Sequence, residues 1–147
     1  ASGDIGVFGH GYTYTGHPVS CAVALKTLEI YERDKVFQHA EKVGDYFQNS
    51  MKDILKEDYV GEVRGIGLIA GIELYKDPSN KIPFEEAGKA GKILSDTCQK
   101  NGLIVRPILD TVALCPPLII SEKEVDELTD KLKKSLQEAK DEIMKIH

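Results

Sequence analysis

The change in hydrophobic period along the chain is the feature that most constrains its fold. In two stretches, 36–55 and 125–143, apolar residues recur every three or four positions, which is the spacing of helices with one buried face. Between these stretches, Tyr59–Tyr75 is rich in β-branched residues and is interrupted by glycines. This composition predicts two antiparallel strands that turn around Gly65–Gly67. We therefore expect helices combined with an antiparallel sheet.

Short sequence signals delimit the other helices. Pro18 suits the first position of a helix, which we expect to reach Arg33. Because this helix is apolar on nearly all sides, we expect it to be buried. Asp34 is expected to be the N-cap of the next helix. A further helix is predicted over about 83–99, and Asn101-Gly102 would end it because both residues tolerate the left-handed conformation.

The C-terminal third predicts two strands and one helix. The strands are expected at 103–106 and 112–114, with a turn over 107–111 between them. The motif Ser121-Glu122-Lys123-Glu124 is a capping box, which predicts that the last helix begins there. The order of elements predicts an α+β fold in which a small, mostly antiparallel sheet carries helices on one face and is preceded by two helices.

Composition disfavours several classes of partner. The 147 residues carry 19 Lys+Arg and 24 Asp+Glu, a net negative charge that favours neither nucleic acid nor an anionic membrane. The longest apolar run, 114–120, is too short to span a bilayer and contains two prolines. The three cysteines form no metal-binding pair, so we expect buried, unreactive thiols, no metal site and a reducing, cytoplasmic location.

The segment FGHGYTYTGHP, residues 8–18, is the first candidate binding site. Its glycines free main-chain N–H groups beside the hydroxyls of Thr13 and Thr15, just before a helix N-terminus, where an anion such as phosphate is stabilised. The alternative is a plain turn in which these hydroxyls bond to their own backbone. His10 and His17 have no cysteine or carboxylate at metal-ligand spacing.

Two arginines are further candidates. Arg106, in GLIVRP, follows a predicted strand and can offer its planar guanidinium to a carboxylate. The alternative is an ion pair with a surface acid. Arg64, in EVRGIG, lies inside a strand pair rather than before a helix, so we interpret it as structural. No nucleophile stands in a recognisable arrangement with a histidine and an acid, so we assign no catalytic residue to these 147 residues.

Three sequence blocks, taken together, resemble a known family. They are HGYTYTGHPVSCAVALKTLEI, then VRGIGLIAGIEL, then NGLIVRP followed by DTVALCPPLIISEKEVDEL. In this order they are similar to the C-terminal part of class III pyridoxal-phosphate-dependent aminotransferases, above all the ω-amino-acid:pyruvate type. The blocks cover nearly the whole chain.

The resemblance implies a fold-type I enzyme that binds pyridoxal 5′-phosphate. Its reaction would move an amino group from an ω-amino acid or amine to pyruvate or another keto acid. Residues 1–34 would form a cofactor-phosphate loop and linking helix, and residues 35–147 the C-terminal small α/β domain. The family's Schiff-base lysine matches no position here, and the chain opens with Ala1 rather than Met, so we expect a fragment that is inactive alone.

The resemblance also implies roles for individual residues. In the family, a Tyr-Thr pair contacts the cofactor phosphate of the neighbouring subunit. By this likeness Tyr12 would act through its backbone, and Thr13 through backbone and hydroxyl, in a homodimer or higher homo-oligomer. Arg106 matches a mobile arginine that holds a substrate carboxylate. Ala113 stands where ornithine- and 4-aminobutyrate-type relatives carry an arginine, so the carboxylate would rest on Arg106 alone.

Two other readings of function stay open at this point. One is another class III activity, such as an aminomutase or a decarboxylating transaminase, because the shared blocks mostly define fold and cofactor. The other is a non-catalytic α+β module that binds a small anion or a partner protein. A lysine in a small-residue-rich segment upstream of Ala1 would favour an enzyme over the module.

Overall fold

A computed structural model describes Gly6 and residues 9–146 of the chain. The chain divides into two compact units, residues 1–36 and 37–147. Phe8, at the start of the predicted binding loop, lies outside the described residues.

The first unit contains one long helix, α1 (Pro18–Arg33), at the predicted position. The expectation that α1 is buried is wrong, because none of its residues is buried and Val23 and Leu25 are 62% and 63% exposed. Asp34 is not the N-cap of the next helix. It is the C-cap of α1, and its N–H donates to Ile30 O over 2.9 Å.

The next helix, α2 (Val36–Lys52), is followed by a single 3₁₀ turn (Asp53–Lys56). Its apolar stripe is buried as far as Met51, except for Ala40, which is half-buried. After Met51 the period shortens to three residues per turn. Ile54 is therefore buried in place of Leu55, which is 47% exposed.

The sheet has four antiparallel strands in the order β1-β2-β4-β3. The first hairpin, β1 (Val60–Ile66) and β2 (Ile69–Leu74), turns at Gly67 and confirms the prediction for this segment. One face of the sheet is buried, and its central side chains are Ala70, Ile72, Leu74, Val112 and Leu114.

The first strand of the second hairpin lies later in the chain than predicted, whereas the second strand is confirmed to within one residue. The two strands are β3 (Arg106–Ile108) and β4 (Thr111–Leu114). Arg106 therefore begins its strand instead of ending it, and the turn consists of Leu109 and Asp110. β3 is an edge strand, which suits Pro107 because proline has no N–H to donate to a further strand.

Helix α3 (Lys89–Lys100) also begins later than predicted. It ends as predicted, because Gly102 has φ +75° and its N–H donates to Gln99 O over 3.1 Å. The N–H of Leu103 then donates to Cys98 O over 2.9 Å. These two bonds form a Schellman motif, in which glycine takes the left-handed position.

The last helix, α4 (Glu122–Ile143), begins with the predicted capping box. Ser121 Oγ accepts from Glu124 N–H, and the Glu124 carboxylate accepts from Ser121 N–H. Helices α2, α3 and α4 share one core with the buried sheet face, including Phe47, Met51, Leu94, Leu132 and Leu136. The α+β architecture with a small antiparallel sheet is therefore confirmed.

Candidate functional site

The loop before α1 forms a tight turn closed by Thr15. The Thr15 hydroxyl accepts from Tyr12 N–H over 2.7 Å and donates to Tyr12 O over 2.6 Å. The N–H of Thr15 donates to the same carbonyl over 3.0 Å. The N–H of Tyr12 is thus bonded within the turn. For the Thr15 hydroxyl, this is the plain turn that the sequence offered as the alternative to an anion site.

Thr13 differs from Thr15 in this turn. Its hydroxyl and its N–H have no hydrogen-bond partner within the described part of the chain. The helix that follows has Pro18 at its first position, and His17 makes no side-chain cap. The first N–H groups of a helix have no intrahelical acceptor and favour negative charge. Thr13 therefore stands a few residues from a helix start that lacks a cap.

The two histidines of the loop each pack against a tyrosine ring. His10 packs edge-on against Tyr12 with ring centroids 4.9 Å apart, and His17 packs against Tyr14 at 6.5 Å. Across Gly6 and residues 9–146, no group of three or more His, Cys, Asp or Glu side chains could hold a metal ion.

Arg106 lies on the exposed face of the sheet. Its strand partner is Ala113, whose neighbour across the sheet is Gly71, which in turn pairs with Arg64. Residues paired across strands share a face. The exposed face therefore carries a row in which two small residues separate two arginines.

The two arginines of this row differ in their ion pairs. Arg64 pairs with Glu73 and, at 3.4 Å, with Glu62. The hydrogen bond and charge of Glu73 raise the pKa of the Arg64 guanidinium further above its ordinary range. These ion pairs agree with the interpretation of Arg64 as structural.

Arg106 forms no ion pair or hydrogen bond with any residue that the structure describes. The third arginine of the chain, Arg33, is paired with Asp34 at 2.7 Å. Arg106 is thus the one arginine without an acid among the described residues, which argues against the surface ion pair considered for it from the sequence. A shallow, mainly apolar recess adjoins it, lined by Ile104, Val105, Ile108, Ala113 and Cys115.

The cysteines only partly follow the prediction. Cys98 is buried, and burial raises the pKa of its thiol. Cys21 and Cys115 are exposed, so the expectation of three buried thiols is wrong for both. Cys21 lies on the uncovered α1, and Cys115 follows β4 on the exposed face.

Sequence reasoning missed one polar residue near Arg106. Asp110, in the turn between β3 and β4, binds main-chain N–H groups at the start of α3. No local signal pointed to it, because the helix was predicted to begin near 83, where Glu85 and Glu86 stand in its first turn. The predicted residues themselves lie in different units, Tyr12 and Thr13 in the first and Arg106 in the second.

Comparison with known proteins identifies the family. Residues 2–136 match the model of the class III aminotransferases, and the chain belongs to this family. Among curated relatives, a gamma-aminobutyrate transaminase 1, mitochondrial, of Oryza sativa is 41% identical over 86% of this chain and 25% of its own length. A gamma aminobutyrate transaminase 3, chloroplastic, of Solanum lycopersicum is 37% identical over 99% of this chain and 28% of its own length.

Solved structures agree with this assignment. A transaminase solved with L-alanine superposes with a TM-score of 0.87 at 39% identity, covering 97% of this chain and 34% of that chain. The omega transaminase from Pseudomonas jessenii in complex with PMP gives 0.86 at 37% identity, covering 97% and 31%. The chain thus spans about a third of the length of these relatives. Class III aminotransferases depend on pyridoxal phosphate.

No helix in the described ranges combines the length and apolarity that a bilayer crossing requires. The two plant relatives above are named for mitochondria and chloroplasts.

Proposed function

We propose that this chain is the C-terminal part of a pyridoxal-phosphate-dependent transaminase that moves an amino group from an ω-amino acid or amine to pyruvate or another keto acid. Family membership supports the transaminase class. The named substrate of the plant relatives, gamma-aminobutyrate, is an ω-amino acid. L-Alanine, bound in one similar structure, is the amine form of pyruvate. The observation that carries the proposal within this chain is the guanidinium of Arg106, which pairs with no residue that the structure describes.

The residues of the first unit fit a phosphate group in part. Thr13 offers a hydroxyl and an N–H that no described residue uses, next to an uncapped helix start. Tyr12 N–H would join them only after the Thr15 hydroxyl releases it. A phosphate near −2 charge accepts more hydrogen bonds than this loop supplies. We therefore propose that Thr13, and Tyr12 secondarily, bind the cofactor phosphate at a homodimer interface.

The bound cofactor would act as the electron sink for amine transfer. This chain would contribute binding and orientation. Thr13 would hold the phosphate end, and Arg106 would hold the carboxylate of the amino or keto acid through paired N–H donors. The cofactor-binding lysine matches no position in these 147 residues, so we expect no activity from the chain alone. Residues 1–34 are then the phosphate loop with its linking helix, and 35–147 the small domain.

The alternatives lead to different observations. An aminomutase or a decarboxylating transaminase would share Thr13 and Arg106 but yield other products from the same amino acid. An anion-binding module without catalysis would bind phosphate without any absorbance change on adding amine. Unpaired cysteines throughout the chain favour a reducing compartment, and we propose the cytoplasm.

The test is Arg106→Ala in the complete protein. The ratio kcat/KM for β-alanine with pyruvate is expected to fall about 100-fold, because a charge-assisted bidentate pair of roughly 3 kcal/mol is lost. For a carboxylate-free primary amine, kcat/KM is measured in the half-reaction through the change in cofactor absorbance. This ratio is expected to change less than about threefold, since no carboxylate is bound.

Arg33→Ala is the matched control, because it removes an exposed arginine whose partner is Asp34 on the same helix end. It should leave both substrates unaffected. If Arg106→Ala lowers the two rates equally, Arg106 does not bind the substrate carboxylate.

A further inference from the structure

One side chain joins the turn between β3 and β4 to the start of α3. Asp110 Oδ2 accepts from Gly88 N–H over 2.8 Å, and Oδ1 accepts from Gly91 N–H over 3.1 Å. The main-chain carbonyl of the same residue accepts from Leu74 N–H over 3.0 Å. Asp110 thus links the hairpin that carries Arg106 to α3 and to the end of β2.

Helix α3 lacks a cap of its own. Its N-cap is Gly88, which has no side chain, and no acidic residue occurs in its first turn. The first N–H groups of a helix need acceptors, and a negative charge there is stabilised by the helix dipole. The Asp110 carboxylate supplies both from a different element. Charge-assisted bonds of this kind are stronger than those between neutral groups.

The contact between turn and helix is close and strained. Leu109 has φ +53°, a conformation that L-residues with side chains adopt at a cost. A Cβ on Gly91 would lie 2.0 Å from Leu109 O, so only glycine lets the turn approach the helix. Such a conformation persists where the surroundings hold it in place, and the Asp110 bonds are the polar contacts that do so here.

Arg106 lies between two attachments to α3. Upstream, Leu103 N–H donates to Cys98 O near the C-terminal end of that helix, and downstream Asp110 binds its N-terminal end. The Arg106 side chain itself forms no ion pair with a described residue. The backbone of β3, which these two attachments hold, therefore determines the point on the exposed face from which the Arg106 side chain extends.

We propose that Asp110 is a positioning residue for the substrate carboxylate, acting through the β3–β4 hairpin on Arg106. By binding the start of α3, Asp110 holds the turn in its left-handed conformation and keeps the strand that presents Arg106 at a fixed place on the exposed face. The inference rests on the proposed role of Arg106 and adds a residue that touches neither substrate nor cofactor.

The test compares Asp110→Asn with Asp96→Asn in the complete protein loaded with cofactor. Asn keeps one carbonyl acceptor but loses the charge and the second acceptor. Asp96 is an exposed aspartate of α3 whose one ion pair among the described residues is with Lys92 on the same helix, at 2.5 Å. For Asp110→Asn, KM for β-alanine is expected to rise about tenfold, the scale of one hydrogen bond to a charged group. KM for a carboxylate-free amine and kcat should stay within about twofold.

A double-mutant cycle separates positioning from general damage. In an Arg106→Ala background, Asp110→Asn is expected to change KM for β-alanine no further, because the group it positions is gone. Equal KM increases for both substrates, or additive effects in the cycle, would overturn the proposal. So would an Asp96→Asn effect equal to that of Asp110→Asn.

Amide hydrogen exchange tests the contact between Asp110 and the start of α3 independently of the reaction. Asp110→Asn should speed exchange at 88–91 and 106–114 but leave α4 unchanged. Unchanged exchange at 88–91 and 106–114 would overturn the attachment itself. If Asp110→Asn speeds exchange at these sites but Arg106→Ala affects both substrates equally, the proposed role of Arg106 is wrong. The positioning role of Asp110 is then wrong as well, although its contact with the start of α3 is supported.

Discussion

Thr13 and Thr15 show how far two identical residues in one turn can differ. The Thr15 hydroxyl is saturated by the backbone of Tyr12, whereas the Thr13 hydroxyl has no partner among the described residues. The motif alone could not separate them, because both precede the same helix. The hydrogen bonds of the turn decide which hydroxyl is available to a ligand.

Thr13→Val tests the phosphate role in the complete protein. It removes the hydroxyl and keeps the β-branched shape, so cofactor retention is expected to weaken by about 1–2 kcal/mol. The measurement is the cofactor dissociation constant by absorbance titration. Thr27→Val is the matched control, since that exposed hydroxyl donates only to Val23 O within α1 over 2.9 Å. An unchanged constant for Thr13→Val removes Thr13 from the phosphate site.

Gly91→Ala tests the contact between α3 and the hairpin turn. A Cβ there would meet Leu109 O at 2.0 Å, so the free energy of unfolding is expected to fall by about 1–3 kcal/mol. Gly71→Ala is the control, because its nearest neighbour would be Thr111 Cγ2 at 3.5 Å and the change should stay within about 0.5 kcal/mol. Urea denaturation measures both. Equal losses for the two variants would contradict the close approach.

At the scale of elements, the helices differ in how their N-termini are capped. Helix α4 is capped by its own sequence through Ser121 and Glu124. Helix α3 is capped by Asp110, which lies beyond its C-terminus in the chain. A local motif predicts the first start correctly. The second start was predicted near 83 instead of Lys89, because its cap comes from a distant residue.

The capping box makes stability depend on pH in a defined direction. Bonds from the Ser121 hydroxyl and N–H lower the pKa of Glu124 from its ordinary 4.5. The folded state therefore binds this proton less tightly than the unfolded state does. The stabilisation is complete above pH 4.5 and is lost as pH falls through the folded value.

Glu124→Gln is expected to reduce stability at neutral pH and to remove this part of the acid dependence. Glutamine keeps the shape and can still accept a hydrogen bond, but it does not titrate. Thermal unfolding followed from pH 7 to about pH 3 provides the measurement. Glu41→Gln, an exposed change on α2, is the control and should preserve the wild-type slope. A Glu124→Gln profile parallel to wild type would contradict the assignment.

At the scale of the whole molecule, the main feature is apolar surface that no described residue covers. On the sheet and its flanks, Ile66, Ile69, Ile104 and Ile108 are 80%, 57%, 90% and 52% exposed. On α1, Val19 and Val23 are exposed as well. Exposed apolar side chains in such number, counted on each unit by itself, are unusual on a chain that remains monomeric.

The 147-residue chain on its own is therefore expected to self-associate. Sedimentation velocity should show a weight-average mass that rises with concentration, because association buries these side chains. Ile66→Ser combined with Ile104→Ser should weaken the effect. Ile82→Ser, 48% exposed in a loop outside the sheet, should not. A single monomeric species at all concentrations would contradict the expectation.

Elements whose bounds are determined by residues close by in the sequence were predictable. The bounds of α1, the hairpin at Gly67, the glycine stop of α3 and the capping box of α4 all follow from neighbours within a few residues. The family could also be inferred, since its blocks are contiguous stretches of sequence. In each case the signal is the spacing of residue types or the backbone preference of single residues, and both can be determined from the sequence alone.

Features that depend on distant residues were decided by the tertiary structure. From the sequence, the first strand of the second hairpin was placed at 103–106 and α1 was expected to be buried. In the folded chain that strand is Arg106–Ile108, Asp110 in the following turn bonds to the start of α3, and α1 has no buried residue. The amino-acid sequence determined which residues could bind an anion or a carboxylate. Only the folded chain decided that Thr15 and Arg64 are bonded, whereas Thr13 and Arg106 have no partner in the part of the chain that the structure describes. Hydrogen bonds and ion pairs form between groups that folding brings together.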